Sequence, residues 1–291
     1  MKRRWAGIAA AAAVVLAALV PSSAAASPSR HPLLIGAQDL PHLSGALYEA
    51  WVVKGDRKLS AGTFNARERP HGDVVLLRAP IDPAHADTIV VTIEPVPDPD
   101  PAPSGVAILA GAPQRHFAAL RFPIDLRAAA GSFILATPTD DDPANGTAGV
   151  WFIDPAGGPG PGLRLPQPPA GWVFEGWGVT QGTPLSTGRF TSVTGADLAS
   201  PFSGPNPGPP FPGEDFVANL PASVVPPVNL ADGSSTVVVT VEPDLGGTDP
   251  TGPAPFSIKP LAGSVPAGAS PGTSLPLQRD LSSVPEAVAI F

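Results

Sequence analysis

The run TIVVTIEPVPDPDPAPSG at residues 88–105 is answered by TVVVTVEPDLGGTDPTGPAP at residues 236–255. Both spell β-branched residues, then Val-Thr, Ile or Val, Glu and Pro, then a loop rich in proline or glycine. Side chains alternate across a strand, so Val91 and Ile93 point one way while Val90, Thr92 and Glu94 point the other. Pro95 withdraws the amide that another ladder bond would need, and the strand stops there. A site that carries chemistry is usually unique, whereas a feature of a structural unit recurs with the unit. The double occurrence therefore reads first as architecture.

Working outward, Leu47-Tyr48-Glu49-Ala50-Trp51-Val52-Val53 aligns with Val173-Phe174-Glu175-Gly176-Trp177-Gly178-Val179 at an offset of 126. At the same offset Leu59-Ser60-Ala61-Gly62-Thr63-Phe64 meets Leu185-Ser186-Thr187-Gly188-Arg189-Phe190. The Val-Thr-x-Glu-Pro blocks follow at an offset of 148, after an extra ASPFSGPNPGPPFPGEDF at residues 199–216 in the second copy. Both copies close on Leu-Ala-Gly, at 109–111 and 261–263. Four blocks in one order predict an internal duplication. The even offset preserves strand parity, so Leu47, Glu49, Trp51 and Val53 share one face and Tyr48, Ala50 and Val52 the other, with Tyr48 and Phe174 expected towards the core beside the small Ala50 and Gly176.

Glycine and proline together make 72 of 291 residues, a level that raises the question of disorder. They sit between dense Val, Ile, Leu, Phe and Trp runs, which is the pattern of strands punctuated by loops. The fold class expected is all-β, with about fourteen or fifteen short strands and no amphipathic helix. The expected architecture is two related β-sandwich, Ig-like units in tandem, with packing into one larger sandwich as the alternative. The divisions read as a signal peptide at 1–26, a first unit with a hairpin extension at 31–155, a second unit at 156–263, and a tail at 264–291. The hairpin extension is GSFILATPTDDDPANGTAGVWFID at 131–154, with Asn145-Gly146 as its turn; the tail is read as flexible, with an edge strand near 286–291.

Lys2, Arg3 and Arg4, an apolar run from Trp5 to Val20, and Ala24-Ala25-Ala26 before Ser27 make up a secretory signal, expected to be cut after Ala26. No later segment is apolar for long enough to cross a bilayer as a helix. Removing three of 17 basic residues and none of 25 acidic ones leaves 14 minus 25, a net charge of −11. Such an acidic chain has no electrostatic footprint for nucleic acid or anionic lipid. With no cysteine there is neither a disulfide nor a lipid-modified N-terminal Cys.

The candidate site residues are Glu49, Glu94, Glu175 and Glu242, with Trp51 and Trp177. Paired carboxylates on neighbouring strands can act as general acid and base. Their recurrence with the unit favours a structural role, in which they accept loop amides or pair with arginine. The two tryptophans are expected in the core, with an exposed aromatic row for glycan or peptide as the alternative. Asp98, Asp100 and Asp140 to Asp142 lack the ligand spacing of a calcium loop and read as solvated turns. His31, His42, His71, His85 and His116 show no metal-ligand spacing, and no Gly-x-Ser-x-Gly, Ser-x-x-Lys or His-Glu-x-x-His motif occurs. No metal, cofactor or catalytic residue is assigned.

Tyr48-Glu49-Ala50-Trp51 with Gly62, and Thr240-Val241-Glu242-Pro243 with Gly246-Gly247 and Pro250-Thr251-Gly252-Pro253, resemble the C-terminal extracytoplasmic domain of the anti-sigma-K factor (RskA) family. The resemblance covers about residues 33–111 and 162–263, and the first copy replaces the glycine pair with Pro97-Asp98-Pro99-Asp100. It implies an all-β domain outside the membrane. The family's sigma-binding part and transmembrane helix have no counterpart in the sequence, so direct anti-sigma activity is not expected to carry over. The resulting expectation is a secreted or cell-envelope, non-catalytic binding module whose partner is an envelope or extracellular protein. A structural or adhesive envelope protein is the alternative, and a glycan-active hydrolase the third reading.

Overall fold

The computed structural model describes residues 30–67 and 72–291; the expected export signal and His71 lie outside the described residues. The first half runs through β1 (His31–Gln38), β2 (Ala46–Lys54), β3 (Arg57–Phe64), β4 (Asp73–Ala79), β5 (Thr88–Pro95), β6 (Ala107–Gly111), β7 (Phe117–Arg121) and β8 (Ala130–Leu135). The second begins with β9 (Gly149–Trp151), β10 (Ile153–Asp154), β11 (Gly160–Pro161), β12 (Leu163–Arg164), β13 (Trp172–Thr180) and β14 (Thr183–Phe190). It ends with β15 (Gly213–Asp215), β16 (Thr236–Pro243), β17 (Leu261–Ser264), β18 (Leu275–Arg279) and β19 (Glu286–Ile290). The only helical turn among the described residues is a short 3-10 turn, Pro83–His85, capped by the Asp82 side chain. The chain is all-β.

Two large antiparallel sheets account for nearly all of the strands. The first has the order β3-β2-β5-β6-β7-β19-β1-β4 and the second β14-β13-β16-β17-β18-β8-β9-β15, with β12 beside β8 and β10-β11 as a separate ribbon. In each sheet the two end strands approach one another, β3 with β4 and β14 with β15, so both are nearly closed. Each is one continuous hydrogen-bonded sheet, where the sequence suggested the two layers of an Ig-like sandwich. Right-handed strand twist, accumulated over eight strands, curls a sheet until its own inner face encloses the core.

The sheets exchange strands. β8 follows β7 in the chain but lies in the second sheet between β18 and β9, while β19 follows β18 but lies in the first sheet between β7 and β1. The hairpin extension placed with residues 31–155 thus supplies β8 and β9 to the second sheet. Residues 264–291, read as a flexible tail with an edge strand, hold two interior strands. β19 is paired over its five residues with β7 on one side and with β1 on the other. Its inward residues, Ala287 and Ala289, are buried, and their small side chains fit the crowded interior between Leu33, Ile35 and Leu120.

The core follows the parity read from the sequence. Tyr48, Ala50, Val52, Val91 and Ile93 are fully buried in one hydrophobic cluster, together with Phe174, Val237, Val239 and Val241 of the second sheet. That cluster is continuous through both halves. Trp172 fastens them at their junction: its Nε1 donates to the Ala107 carbonyl at 3.0 Å, and its ring meets Phe122 edge-on at 5.1 Å. Beside it, Gly171 has φ +86°, and an added Cβ would lie 2.8 Å from the Gly105 carbonyl oxygen, so only glycine admits the close approach.

Candidate functional site

The two Val-Thr-x-Glu-Pro strands build the same relay. Pairing of Glu49 with Thr92 and of Trp51 with Val90 sets the Trp51 indole diagonally across from Thr92. Trp51 Nε1 donates to Thr92 Oγ1 at 2.8 Å, and the Thr92 hydroxyl donates to Glu94 Oε1. The Glu94 carboxylate then accepts the Ser104 amide, at 3.2 and 3.0 Å for its two oxygens, and so ties the proline-rich loop to the end of β5. In the second sheet Trp177 Nε1 donates to Thr240 Oγ1 at 2.8 Å, Thr240 donates to Glu242 Oε1, and that oxygen accepts the Phe256 amide at 2.9 Å. A hydrogen bond of this kind contributes about 1 kcal/mol net, and leaving a buried amide or hydroxyl unpaired costs about 1–3 kcal/mol, so both relays hold their loops.

Trp51 and Trp177 are buried, at 3% and 4% exposure, yet neither belongs to the main core. They lie with Thr92, Glu94, Thr240 and Glu242 on the face turned away from it, under the loops that the glutamates hold. The expected burial holds and an exposed aromatic row is not formed; the indole N–H beside a threonine places both rings on the polar side of the strands, outside the main apolar cluster.

Glu49 and Glu175 sit one strand over, each accepting a serine hydroxyl, from Ser60 and Ser186 respectively. Gly62 and Gly188 adopt φ +128° and +102° at the bulges where β3 and β14 shift register. The environments then diverge. Thr63 is paired with Glu49, but Arg189 is paired with Glu175. Arg189 reaches Glu175 at 3.3 Å, Asp249 at 2.8 Å and Asp244 at 3.6 Å, so an arginine one-fifth exposed holds three carboxylates together. Burial pushes the Glu175 carboxyl up, opposed by Ser186 and Arg189. Burial also pushes Glu242 up to about 7, and its Oε2 has no hydrogen-bond partner.

A third group of carboxylates was not singled out from the sequence. β15 carries Glu214 and Asp215, both fully buried, and the long loop before it carries Asp197. Asp215 Oδ1 accepts Trp151 Nε1 at 2.6 Å, and Oδ2 accepts the Thr139 amide and hydroxyl at 2.7 and 2.5 Å. Thr139 Oγ1 in turn accepts the Gly204 amide at 2.7 Å. Glu214 holds the Ser203 hydroxyl and the Phe202 amide, and Asp197 holds the Gly213 amide at 3.1 Å. The proline-rich segment is thereby pinned across the outer surface of the second sheet, where it frames a cleft of about 290 Å³ lined by Trp151, Asp197, Pro207, Pro209 and Phe211. Burial pushes both Asp197 and Glu214 up to about 7. The sequence signal was present in Gly-Glu-Asp-Phe at 213–216, where two adjacent carboxylates interrupt an apolar context.

The acidic turns close on themselves. Asp98, Asp100, Asp140 and Asp142 each accept the amide two residues on, and Asp141 accepts the Asn206 side-chain amide at 3.0 Å. Among the described residues no group of three or more His, Cys, Asp or Glu side chains is arranged to hold a metal, and no helix is long and apolar enough to cross a membrane. His42 Nδ1 lies 2.7 Å from the Ala66 carbonyl oxygen and His85 pairs with Asp82. Comparison with protein-family models, with characterised proteins and with solved structures produced no significant match. The likeness to the anti-sigma-K extracytoplasmic domain rests on the residues quoted for it.

Proposed function

We propose that this chain is a non-catalytic binding module of the bacterial cell envelope or its exterior, made of two related units that have exchanged their last strands. The matching strand orders and the twice-built Trp–Thr–Glu relay support a duplicated design. The observation that carries the functional reading is the use of the carboxylates. Glu94, Glu214, Glu242 and Asp215 each accept a backbone amide of a loop, and Asp197, itself on a loop, accepts the first amide of β15, so all five carboxylates are used in fixing surface shape. A surface assembled from pinned loops on rigid sheets suits recognition of an envelope or extracellular protein.

The hydrolase reading has one observation in its favour, the pair Asp197 and Glu214, both near 7 and close to one cleft. A panel of glycans and peptides decides between them. No turnover above background is expected, with Asp197→Asn changing stability alone; turnover that Asp197→Asn abolishes would overturn the binding reading.

A further inference from the structure

The cleft framed by the proline-rich segment has an uneven supply of hydrogen-bonding groups. Four side-chain donors in its lining are already spent inside the protein. Trp151 Nε1 and the Thr139 hydroxyl both serve Asp215, the Ser203 hydroxyl serves Glu214, and the Asn206 side-chain amide serves Asp141 at 3.0 Å. Of the lining hydroxyls only that of Ser200, at an exposed position, makes no such bond.

The acceptors are not all spent. Glu214 takes a hydroxyl and two amides, and Asp215 takes an indole, a hydroxyl and an amide. Asp197, which lines the cleft, takes the Gly213 amide alone, on Oδ2. Its Oδ1 has no partner among the described residues and is not one of the sealed-off unpaired atoms, so it keeps access to solvent. The side chain is held in place by close packing: a Cβ on Gly188, at φ +102°, would lie 2.5 Å from Asp197 Cγ.

No basic residue lines the cleft. Arg189, whose carbonyl accepts the Leu198 amide, is already held by Glu175, Asp249 and Asp244. Burial without a counter-charge pushes the Asp197 carboxyl up to about 7, and a cation beside it would restore its ionisation.

The walls and the size narrow the ligand further. Pro207, Pro209, Phe211 and Leu198 give the cleft apolar sides, and Leu198 is 71% exposed. A volume of about 290 Å³ lies just below the range of about 300–1,000 Å³ usual for small-molecule sites, so the cleft admits one long side chain and not an oligosaccharide. Apolar walls with an open carboxylate suit a flexible apolar stem that ends in a cation. A phosphate or carboxylate would face Asp197 with only the Ser200 side chain to donate to it.

We infer that this cleft receives a basic side chain, lysine or arginine, of the partner protein, with the cationic head on Asp197 and the stem along Phe211, Pro207 and Pro209. This rests on the binding reading above and names the group that the partner presents. The net charge of −8 on the chain favours the approach of a basic partner.

The test titrates the purified chain with acetyl-Ala-Lys-Ala-amide, its arginine counterpart, and the same peptide with uncharged norleucine at the centre. Binding is read from the NMR shifts of the Gly204, Gly208 and Gly213 amides. Saturable shifts are expected with both basic peptides, and binding at least about tenfold weaker with norleucine. Asp197→Asn is expected to weaken the lysine peptide at least about tenfold. Asp98→Asn, which removes the same charge from an exposed turn, is expected to leave it unchanged. Asparagine keeps an acceptor for the Gly213 amide, and urea unfolding of the variant beside the wild type separates lost binding from lost folding. The norleucine comparison uses the unaltered chain and stands even where the variant is destabilised. No shift at these amides up to about 10 mM peptide overturns the proposal. Equal affinity for the norleucine peptide, or equal losses in the two aspartate variants, does the same. Tighter binding of N-acetylglucosamine at the same amides would assign the cleft to a sugar and overturn it as well. These failures leave the binding reading standing, whereas hydrolysis of the peptide during the titration would overturn both.

Discussion

Glu242 offers the sharpest test of the loop-fastening role. Its carboxyl is fully buried, one oxygen accepts Thr240 and Phe256, the other has no partner, and burial raises it from 4.5 to about 7 with added repulsion from Glu175 and Asp249. A raised acid binds its proton more tightly when folded. Between the two values the folded state therefore holds more protons than the unfolded one, and stability falls as pH rises. The contribution is present below about pH 4.5, is lost progressively towards pH 7, and amounts to about 3 kcal/mol from a shift of roughly 2.5 units. Glu242→Gln keeps an acceptor for the Phe256 amide but cannot ionise. Urea unfolding of both proteins at intervals from about pH 4.5 to pH 8 isolates the effect, because Asp197 and Glu214 titrate in the same window in both and cancel in the difference. Wild-type stability minus variant stability is expected to decline by about 3 kcal/mol across the range. A difference that stays constant, or rises with pH, would refute the reasoning, since Glu242 would then not be a buried acid of raised affinity.

Gly176→Ala is expected to destabilise by about 2 kcal/mol or more through overpacking, because the new Cβ would stand 2.2 Å from Thr187 Oγ1 and 2.4 Å from the Phe152 ring. Ala50, at the matching place in the first sheet, is already accommodated, so Ala50→Gly should cost only about 1 kcal/mol in urea unfolding; equal effects at both positions would contradict the packing described. Arg189→Met is expected to lower the melting temperature clearly, by a loss of about 3 kcal/mol, since Glu175 and Asp249 would be left buried without their counter-charge. An unchanged melting temperature would mean that the network contributes nothing.

Local pattern carried the strands, their proline ends and their inward residues, because alternation and missing amides act within a few residues. It also pointed Glu94 and Glu242 at loop amides, since the loop follows each glutamate directly. Trp51 shows a finer lesson: the habit of tryptophan foretold its burial, while the face it shares with Glu49 decided on which side of the sheet it is buried. The strand exchange was not legible. β8 and β19 are short, and nothing local distinguishes a strand that pairs with its own half from one that crosses over; that is decided by register against β18, β9, β7 and β1. The group of Asp197, Glu214 and Asp215 was hidden for the same reason. Asp215 meets Thr139 across 76 residues of sequence and Trp151 across 64.

The two halves keep the same fasteners and differ in what lies outside them. In the second, an arginine gathers three carboxylates, and an inserted segment, itself pinned by Asp215 and Glu214, closes over the outer sheet. In the first, threonine stands in place of that arginine and the outer rows of β4, β1, β19 and β7 lie open. The relays must be retained in both, because each holds a long loop against a buried polar face, and a freed loop would expose unpaired carboxylate and indole groups. The outer faces are under no such constraint. Once β19 is seated between β1 and β7 its inner side completes the core, and its outer side is at liberty to vary. Because burial fixes the fasteners and leaves the outer faces free, the two sheets differ most where Phe211 and its neighbours cover the one and the rows of Leu76 and Val288 on the other are exposed.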